Sequence, residues 1–269
     1  MLKRTLVAVT LALLIAPPAQ ADESARYVAM GSSFAAGPGI PPQQPGTPAT
    51  CGRSTKNYAS LVAARRGLAL TDVTCGGATT ANILTTGQAG QPPQIEAVTP
   101  DTKLVTVTIG GNDVGYVGSL FTYGCQNTGG TNCGQVDRNA VRAALSTVHE
   151  KIGAVIAAVH QRAPRARVLV VDYLTIVPRT RPACDGVPLT PEQLTFENEV
   201  ADRLAAATLR AAREERATLV PAAAASANHD GCAAVPWMER YSTAQGRVPY
   251  HPNEAGMAAV ANLVTAKIP

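Results

Sequence analysis

Four short polar or glycine-rich segments carry the residue types that a serine-based reaction needs. In chain order they are residues 31–37 (GSSFAAG), 75–80 (CGGATT), 110–113 (GGND) and 251–256 (HPNEAG). A serine hydroxyl beside an imidazole base can attack a carbonyl carbon, and backbone or carboxamide N–H groups can hold the oxyanion that develops. Serine and asparagine also cap helices, and glycine also permits tight turns. The chemistry therefore depends on whether the fold brings the four segments together.

The chain between these segments alternates between strand-like and helix-like patterns. Residues 103–109 (KLVTVTI) and 167–173 (RVLVVDY) have the uninterrupted β-branched character of buried parallel strands. The alternation predicts βαβ units and a three-layer α/β/α sandwich with a mostly parallel sheet. The expected strands are 26–31, 69–75, 103–109, 167–173 and a short one near Leu219, and the expected helices are 57–66, 139–161, 191–217 and 253–267.

Three of the four segments follow predicted strands. In an open parallel sheet, ligands bind at the carboxyl ends of the strands, so the loops that begin at Gly31, Cys75 and Gly110 are expected at one edge. Residues 124–134 are predicted to be a further loop, closed by the two cysteines within it. Neither an internal repeat nor a linker divides the chain, and residues 22–269 are predicted to form a single domain.

The composition argues against several classes of protein. The 269 residues are 46% hydrophobic and 16% charged, which is typical of a globular chain and not of a disordered one. The formal net charge is +4 and falls to +2 without Lys3 and Arg4. Because a nucleic-acid face needs clustered cations, no nucleic-acid partner is expected.

Residues 1–21 have the pattern of a secretory signal peptide. Lys3 and Arg4 precede an apolar run over residues 6–16, and Ala19-Gln20-Ala21 supplies the small residues of a cleavage site. An uncleaved anchor helix is the alternative, but the run is shorter than the ~20 residues that a spanning helix needs. We therefore predict a secreted protein, cleaved after Ala21.

The six cysteines fit export to an oxidising compartment. Their number is even, and no pair has the close spacing of a zinc site, so disulfide bonds are expected. The sequence alone does not select among the connectivities that six cysteines allow. The simplest is sequential pairing, which joins Cys51–Cys75, Cys125–Cys133 and Cys184–Cys232.

The four segments together resemble the ordered sequence blocks of the secreted GDSL/SGNH hydrolases. These are serine esterases and lipases on a flavodoxin-like α/β/α fold, and the resemblance extends from Tyr27 to the final predicted helix. The six-cysteine pattern, with a closed loop after GGND, is similar to that of actinobacterial secreted lipases and phospholipases of this family. The resemblance implies a carboxylic ester hydrolase that needs no metal and no organic cofactor.

The resemblance also implies a role for each site residue. Ser33 falls on the family nucleophile, and His251 falls on the general base that takes its proton. The implied oxyanion hole consists of the backbone N–H groups of Ser33 and Gly77 and the side-chain amide of Asn112. Asp113 is expected to cap a helix or hold its loop.

Two positions depart from the family pattern. Ser32 stands where the family name expects aspartate, and Val248 stands where the family places the acid that orients the histidine. Residues 241–253 contain no carboxylate at all. We favour a Ser33–His251 dyad in which the backbone carbonyl of Val248 orients the histidine. Recruitment of the distant Asp230, an unassigned orienter and an impaired site are the alternatives.

The sequence thus predicts a secreted serine carboxyl-ester hydrolase that works through an acyl-Ser33 intermediate. Esterase, lipase and phospholipase A activities all fit, and acyl transfer to an alcohol shares the same intermediate. The expected partner is an ester or lipid substrate, with transient contact to lipid surfaces and a monomeric chain. A catalytically impaired secreted acyl- or lipid-binding protein on the same fold is the alternative, because of the departures at Ser32 and Val248.

Overall fold

The structure is a computed structural model that describes residues 24–269. The predicted signal peptide, residues 1–21, lies outside the described residues. Within residues 24–269, no helix combines the length and the apolar character that crossing a membrane requires.

The centre of the structure is a five-stranded sheet in which every pair of neighbours is parallel. Its strands lie in the order β2-β1-β3-β4-β5. This is the order of the flavodoxin-like doubly wound fold, so the predicted fold class is confirmed. The strands are β1 (Arg26–Gly31), β2 (Ala69–Asp72), β3 (Leu104–Thr108), β4 (Arg167–Val171) and β5 (Thr218–Val220).

Eight α-helices surround the sheet in the described part of the chain. Right-handed crossovers place helices on opposite faces when the chain moves toward opposite edges of the sheet. The longer helix between β1 and β2, Tyr58–Arg66, therefore lies on one face, and those between β3, β4 and β5 lie on the other. The helices are α1 (Ser33–Ala36), α2 (Tyr58–Arg66), α3 (Thr80–Leu84), α4 (Tyr116–Asn127), α5 (Arg138–Arg162), α6 (Pro191–Glu214), α7 (Ala222–Ala225) and α8 (Glu254–Thr265).

Capping residues begin the helices where the sequence indicates. The Asn57 side chain accepts a hydrogen bond from the Ser60 N–H at the start of α2, and Asp137 does the same for α5. Thr190 and Gln193 form a capping box around Pro191, the first residue of α6. Helix α6 ends at Glu214 rather than continuing to residue 217, and β2 ends at Asp72 rather than at residue 75.

The predicted loop over residues 124–134 is partly wrong. Helix α4 continues to Asn127 and includes Cys125, and only then does the chain turn back to Cys133. The sequence of α4 (YVGSLFTYGCQN) contains two glycines, which weaken the helical signal of its apolar residues.

Three disulfide bonds connect the cysteines in sequential pairs. The structure joins Cys51 to Cys75, Cys125 to Cys133 and Cys184 to Cys232, and it contains no free cysteine among the described residues. All six cysteines lie outside the strands, so the bonds add to a core that the sheet and helices already form.

The register of β1 against β3 determines where the active-site loops begin. Gly31 pairs with Thr108, so both strands end side by side at the carboxyl edge of the sheet. The Ser32 N–H then donates to the Thr108 carbonyl at 3.0 Å. The residues that follow these two strands therefore enter the same space.

The carboxyl group of Glu197 lies within the core. Glu197 is on the inner side of α6 and has no exposed surface. Burial raises the pKa of Glu197 to about 8, because the charged form loses its hydration. Its carboxyl group is therefore mostly protonated at neutral pH.

We expect Glu197→Gln to flatten the pH dependence of stability. The folded state keeps the Glu197 proton until its pKa of about 8, whereas the unfolded chain releases it near 4.5, so wild-type stability falls as pH rises between these values. The glutamine variant lacks this dependence and should gain up to roughly 3 kcal/mol relative to wild type between pH 5 and pH 8. Denaturant unfolding with the disulfides intact, at both pH values, measures this difference.

Glu214→Gln is the matched control, because Glu214 is exposed near the end of the same helix. Its pH dependence should follow that of the wild type. A Glu197→Gln protein whose stability fell with pH as steeply as the wild type would contradict the assignment of a neutral buried carboxyl.

Candidate active site

The structure brings Ser33 and His251 together from opposite ends of the chain. Ser33 is the first residue of α1, directly after β1, and His251 precedes α8. The Ser33 Oγ and the His251 Nε2 lie 2.8 Å apart, which is a hydrogen-bond distance between a nucleophile and a base. Both residues are buried, with 8% of Ser33 and 6% of His251 exposed.

The turn before Ser33 depends on a glycine. Gly31 has φ +134°, a conformation that residues with a side chain rarely adopt, and a Cβ at this position would lie 2.4 Å from the Thr108 carbonyl oxygen. Glycine therefore lets the chain leave β1 sharply while it stays in contact with β3. As a result, Ser33 lies at the carboxyl edge of the sheet, between β1 and the end of the central strand β3.

The carbonyl that orients His251 belongs to Pro249, and the prediction of Val248 is wrong. His251 Nδ1 lies 2.8 Å from the Pro249 carbonyl oxygen. Tyr250, between them, has a left-handed φ of +56°, which turns the chain so that the carbonyl two residues before the imidazole faces it. The prediction took Val248 from the position of the family's acid, three residues before the histidine, and that spacing does not reveal the turn at Tyr250.

This contact also determines the tautomer of His251. A carbonyl oxygen can only accept a hydrogen bond, so Nδ1 carries the proton and donates it to Pro249. The neutral imidazole then presents the unprotonated Nε2 to the Ser33 hydroxyl. The pair is arranged for proton transfer from Ser33 to His251.

Asp230 does not contact His251, so the structure does not support the alternative in which it is recruited. Asp230 is fully buried, and its two carboxylate oxygens accept hydrogen bonds from the Arg181 guanidinium at 2.8 and 2.9 Å. One of them also accepts from the Cys232 N–H at 2.8 Å. The carboxylate thus stabilises the loop around the Cys184–Cys232 disulfide.

The surroundings of His251 favour its neutral form. Aromatic rings lie beside the imidazole, with the centroids of Phe34 and Phe121 at 5.4 and 6.3 Å. Burial lowers the pKa of His251 to about 4, although the hydrogen bond to the Pro249 carbonyl acts in the opposite direction. At neutral pH the imidazole is therefore uncharged, and its Nε2 is able to accept a proton.

Each of the three groups predicted to form the oxyanion hole has an N–H without an acceptor in the described part of the chain. The Asn112 carboxamide donates one N–H to the Ala78 carbonyl at 2.8 Å, and its other N–H has no acceptor. The backbone N–H groups of Ser33 and Gly77 have none either. Gly77 has φ +78°, in the left-handed region that favours glycine.

Tyr173 is a structural residue of the site that sequence reasoning missed. Its hydroxyl accepts a hydrogen bond from the Gly111 N–H at 2.9 Å and lies 3.3 Å from the Ser32 Oγ. Its ring packs on Phe34 with centroids 4.7 Å apart. Tyr173 thus connects the loops after β1 and β3, and its position just after β4, at the carboxyl edge, was the available signal.

Asp113 holds its loop, as expected from the sequence. Its carboxylate accepts hydrogen bonds from the Thr80 N–H at 3.0 Å and the Thr80 hydroxyl at 2.6 Å. These bonds tie the loop after β3 to the start of α3. The loops that carry Gly77 and Asn112 are therefore joined directly.

The five-stranded parallel sheet and the Ser–His pair at its carboxyl edge are typical of an α/β/α serine hydrolase. The chain belongs to the GDSL-like Lipase/Acylhydrolase family, whose profile matches residues 29–259. The predicted family and the predicted enzyme class, a carboxylic ester hydrolase, are thereby confirmed.

Individual relatives cover nearly the whole chain. Lipase 2 of Streptomyces coelicolor is 36% identical over 251 residues, which span 90% of this chain and 85% of that lipase. The extracellular lipase of Streptomyces rimosus has a similar solved structure, with a TM-score of 0.75, 28% identity, and coverage of 90% of this chain and 98% of the other. Phospholipase A1 of Streptomyces albidoflavus is also similar, with a TM-score of 0.74, 25% identity, and coverage of 91% and 99%.

We expect the His251 imidazole to stay neutral far below the pH at which a free histidine gains its proton. Burial between aromatic rings lowers its pKa to about 4, so NMR titration should show this side chain protonating near pH 4. Comparison with His251→Ala identifies its resonance, and circular dichroism verifies that the protein is folded at each pH. A midpoint at or above 6.5 would show that the imidazole is hydrated, contrary to the structure.

Proposed function

We propose that the protein is a secreted carboxylic ester hydrolase that forms an acyl intermediate on Ser33. The observation that carries the proposal is the 2.8 Å contact between the Ser33 Oγ and the unprotonated Nε2 of a buried His251. A hydroxyl is a weak nucleophile by itself, and an adjacent base activates it. We also propose that residues 22–269 form a single hydrolase domain, in keeping with the one sheet and one continuous core of the described residues.

The first half of the reaction transfers the acyl group to the enzyme. The Ser33 Oγ attacks the ester carbonyl carbon while its proton passes to His251 Nε2. The carbonyl oxygen becomes an oxyanion, and the C–O bond to the alcohol then breaks as the imidazolium returns the proton to the leaving oxygen. An alcohol departs, and the acyl group stays on Ser33.

The second half repeats these steps with water. His251 takes a proton from a water molecule whose oxygen attacks the acyl-Ser33 carbonyl carbon. The carboxylic acid leaves when Ser33 recovers its proton from the imidazolium. An alcohol in place of the water would give acyl transfer by the same steps.

The oxyanion would be held by three uncharged donors. We assign this role to the backbone N–H groups of Ser33 and Gly77 and to the remaining N–H of the Asn112 carboxamide. Their lack of acceptors among residues 24–269 supports the assignment, because donors at a buried site normally have partners.

For the substrate, we infer an ester with an apolar acyl chain, as in a lipase or a phospholipase A. The relatives are named as lipases, and one solved relative is a phospholipase A1. The aromatic rings of Phe34 and Phe121 beside His251 supply apolar surface next to the nucleophile. The monomeric state and the transient contact with lipid surfaces stay predictions.

The pattern of residues 1–21 supports secretion, with cleavage after Ala21. The description of the similar Streptomyces rimosus lipase as extracellular agrees with it. The three disulfide bonds are also expected of a protein that works outside the cell.

We expect an alkyl fluorophosphonate to modify Ser33 alone. The activated hydroxyl displaces fluoride from phosphorus, and intact mass with peptide mapping locates the adduct. Ser33→Ala should give no adduct, and His251→Ala should react much more slowly because the hydroxyl then lacks its base.

Ser32→Ala is the matched control for the labelling, because the neighbouring hydroxyl contacts Tyr173 rather than His251. It should still be labelled on Ser33. The absence of any adduct on folded wild-type protein with its disulfides intact would reject the hydrolase mechanism and favour a binding protein on the same fold.

We expect Asn112→Ala to lower kcat by about 10²–10³-fold with little change in KM, because loss of one oxyanion donor acts mainly on the transition state. Steady-state hydrolysis of a p-nitrophenyl ester measures both parameters. Asn262→Ala is the control, since Asn262 lies on α8 and contacts the exposed Arg65. An Asn112→Ala enzyme with wild-type kcat would remove this side chain from the oxyanion hole.

A further inference from the structure

A cavity of about 300 Å³ adjoins the loop that carries Gly77. Cys75 lines it, and so do three polar side chains that hydrogen-bond to the backbone of the active-site loops. Gln94 bonds both the N–H and the carbonyl of Gly31, at 2.8 and 3.1 Å, and Arg53 donates to the Thr74 carbonyl. The third side chain, that of Gln88, hydrogen-bonds to the backbone of Gly76, the residue before Gly77.

The contact of Gln88 fixes one particular peptide group. Its Nε2 donates to the Gly76 carbonyl oxygen at 2.7 Å. The peptide between Gly76 and Gly77 is planar and trans, so its carbonyl and its N–H point in opposite directions. When Gln88 holds the Gly76 carbonyl, it also determines where the Gly77 N–H points.

The Ala78 N–H donates to the Cys75 carbonyl at 3.1 Å and closes a turn around this peptide, but apart from the Gln88 bond the peptide's own carbonyl and N–H make no hydrogen bond among the described residues. Two consecutive glycines lack side chains that could limit rotation, and Gly77 has φ +78°. Around the position that a Gly77 Cβ would occupy, the only atom of the described residues within 4 Å, apart from Gly77 and its two chain neighbours, is the Gln88 Nε2, at 3.7 Å. On the other side, the Gly76 N–H donates to the Cys51 carbonyl at 2.9 Å, next to the Cys51–Cys75 disulfide. That bond anchors the preceding peptide rather than this one.

The backbone of Gln88 is itself fixed by a tight turn. Gln88 and Gln91 exchange backbone hydrogen bonds of 3.0 and 2.9 Å around Ala89 and Gly90. Both central residues have positive φ, 54° and 74°, as in the two-residue turns that join paired strands. At Gly87, a Cβ would lie 2.4 Å from the Gln91 carbonyl oxygen, so the turn also requires that glycine.

We propose that Gln88 is a positioning residue for the oxyanion hole, which keeps the Gly77 N–H directed toward the reacting carbonyl by holding the Gly76 carbonyl on the opposite side. The inference rests on the proposed function, in which Gly77 is one of the three oxyanion donors. Gln88 acts through the peptide and does not contact the substrate.

The test compares Gln88→Met with Gln91→Met. Methionine has nearly the length of glutamine but no N–H donor, so Gln88→Met removes the bond to Gly76 and leaves the volume similar. Gln91 lines the same cavity in the same turn, and its side chain makes no hydrogen bond among the described residues. We expect kcat for a p-nitrophenyl ester to fall about 10–10²-fold in Gln88→Met with KM nearly unchanged, and Gln91→Met to match the wild type.

Binding of an alkyl trifluoromethyl ketone separates positioning from a general structural effect. The Ser33 Oγ adds to its carbonyl carbon and its proton passes to His251, which leaves an oxyanion in the hole. The affinity of the enzyme for this ketone should fall in Gln88→Met by about the same factor as kcat/KM, whereas KM for the neutral ester should not change. Gln88→Lys, which restores an N–H donor of similar reach, should recover part of both losses.

The outcomes distinguish the two proposals. If the wild type neither hydrolyses the ester nor binds the ketone, the proposed function fails. If the wild type is active and Asn112→Ala is impaired while Gln88→Met and Gln91→Met have equal kcat, only the role of Gln88 is overturned. A rise in KM alone, or a loss in Gln88→Met that Gln88→Lys does not recover at all, also overturns it. If Gln88→Met does not fold, Gln88→Lys decides, and it should retain more activity than Asn112→Ala.

Discussion

The hydrogen bond from His251 to the Pro249 carbonyl is the contact on which the site depends most. It selects the tautomer in which Nε2 faces Ser33, and no side chain among residues 24–269 makes a second hydrogen bond to Nδ1. Its geometry is made by neighbouring backbone. Tyr250 reverses the chain. Two backbone hydrogen bonds then join this segment to residues 237–239: the Glu239 N–H donates to the His251 carbonyl at 2.8 Å, and the Asn253 N–H donates to the Trp237 carbonyl at 2.9 Å.

A carbonyl in place of a carboxylate has a chemical cost. It orients the imidazole, but it stabilises the imidazolium of the transition state less than a full negative charge would. Burial between Phe34 and Phe121 strengthens the preference for the neutral form. In the proposed mechanism, the imidazolium that forms when His251 takes the Ser33 proton therefore has no carboxylate partner, and the oxyanion on the substrate is the main compensating charge. Asp230, the alternative acid of the sequence analysis, forms an ion pair with Arg181 instead.

The remaining parts of the site are positioned by side chains that never reach the reacting atoms. Tyr173 connects the loops after β1 and β3, Asp113 joins the loop of Asn112 to α3, and Gln94 completes the hydrogen bonding of Gly31. The three inner strands, β1, β3 and β4, are largely buried and are paired on both sides, but they end before the site residues begin. Hydrogen bonds from polar side chains must therefore fix the conformation of the loops beyond the strands, and burial strengthens such hydrogen bonds.

The sequence by itself determined the fold class, the alternation of elements and the four segments of the site, because strand and helix periodicities and glycine-rich turns are local signals. It placed Ser33 and His251 as a pair through the family resemblance, and the sequential disulfides were its simplest pairing. Only the tertiary structure decided that Pro249 rather than Val248 faces His251, that Asp230 pairs with Arg181 and that Tyr173 reaches Gly111. The Pro249 contact depends on a single positive φ at Tyr250. The Asp230–Arg181 and Tyr173–Gly111 contacts join residues about 50 or more positions apart, and local sequence patterns do not reveal such pairs.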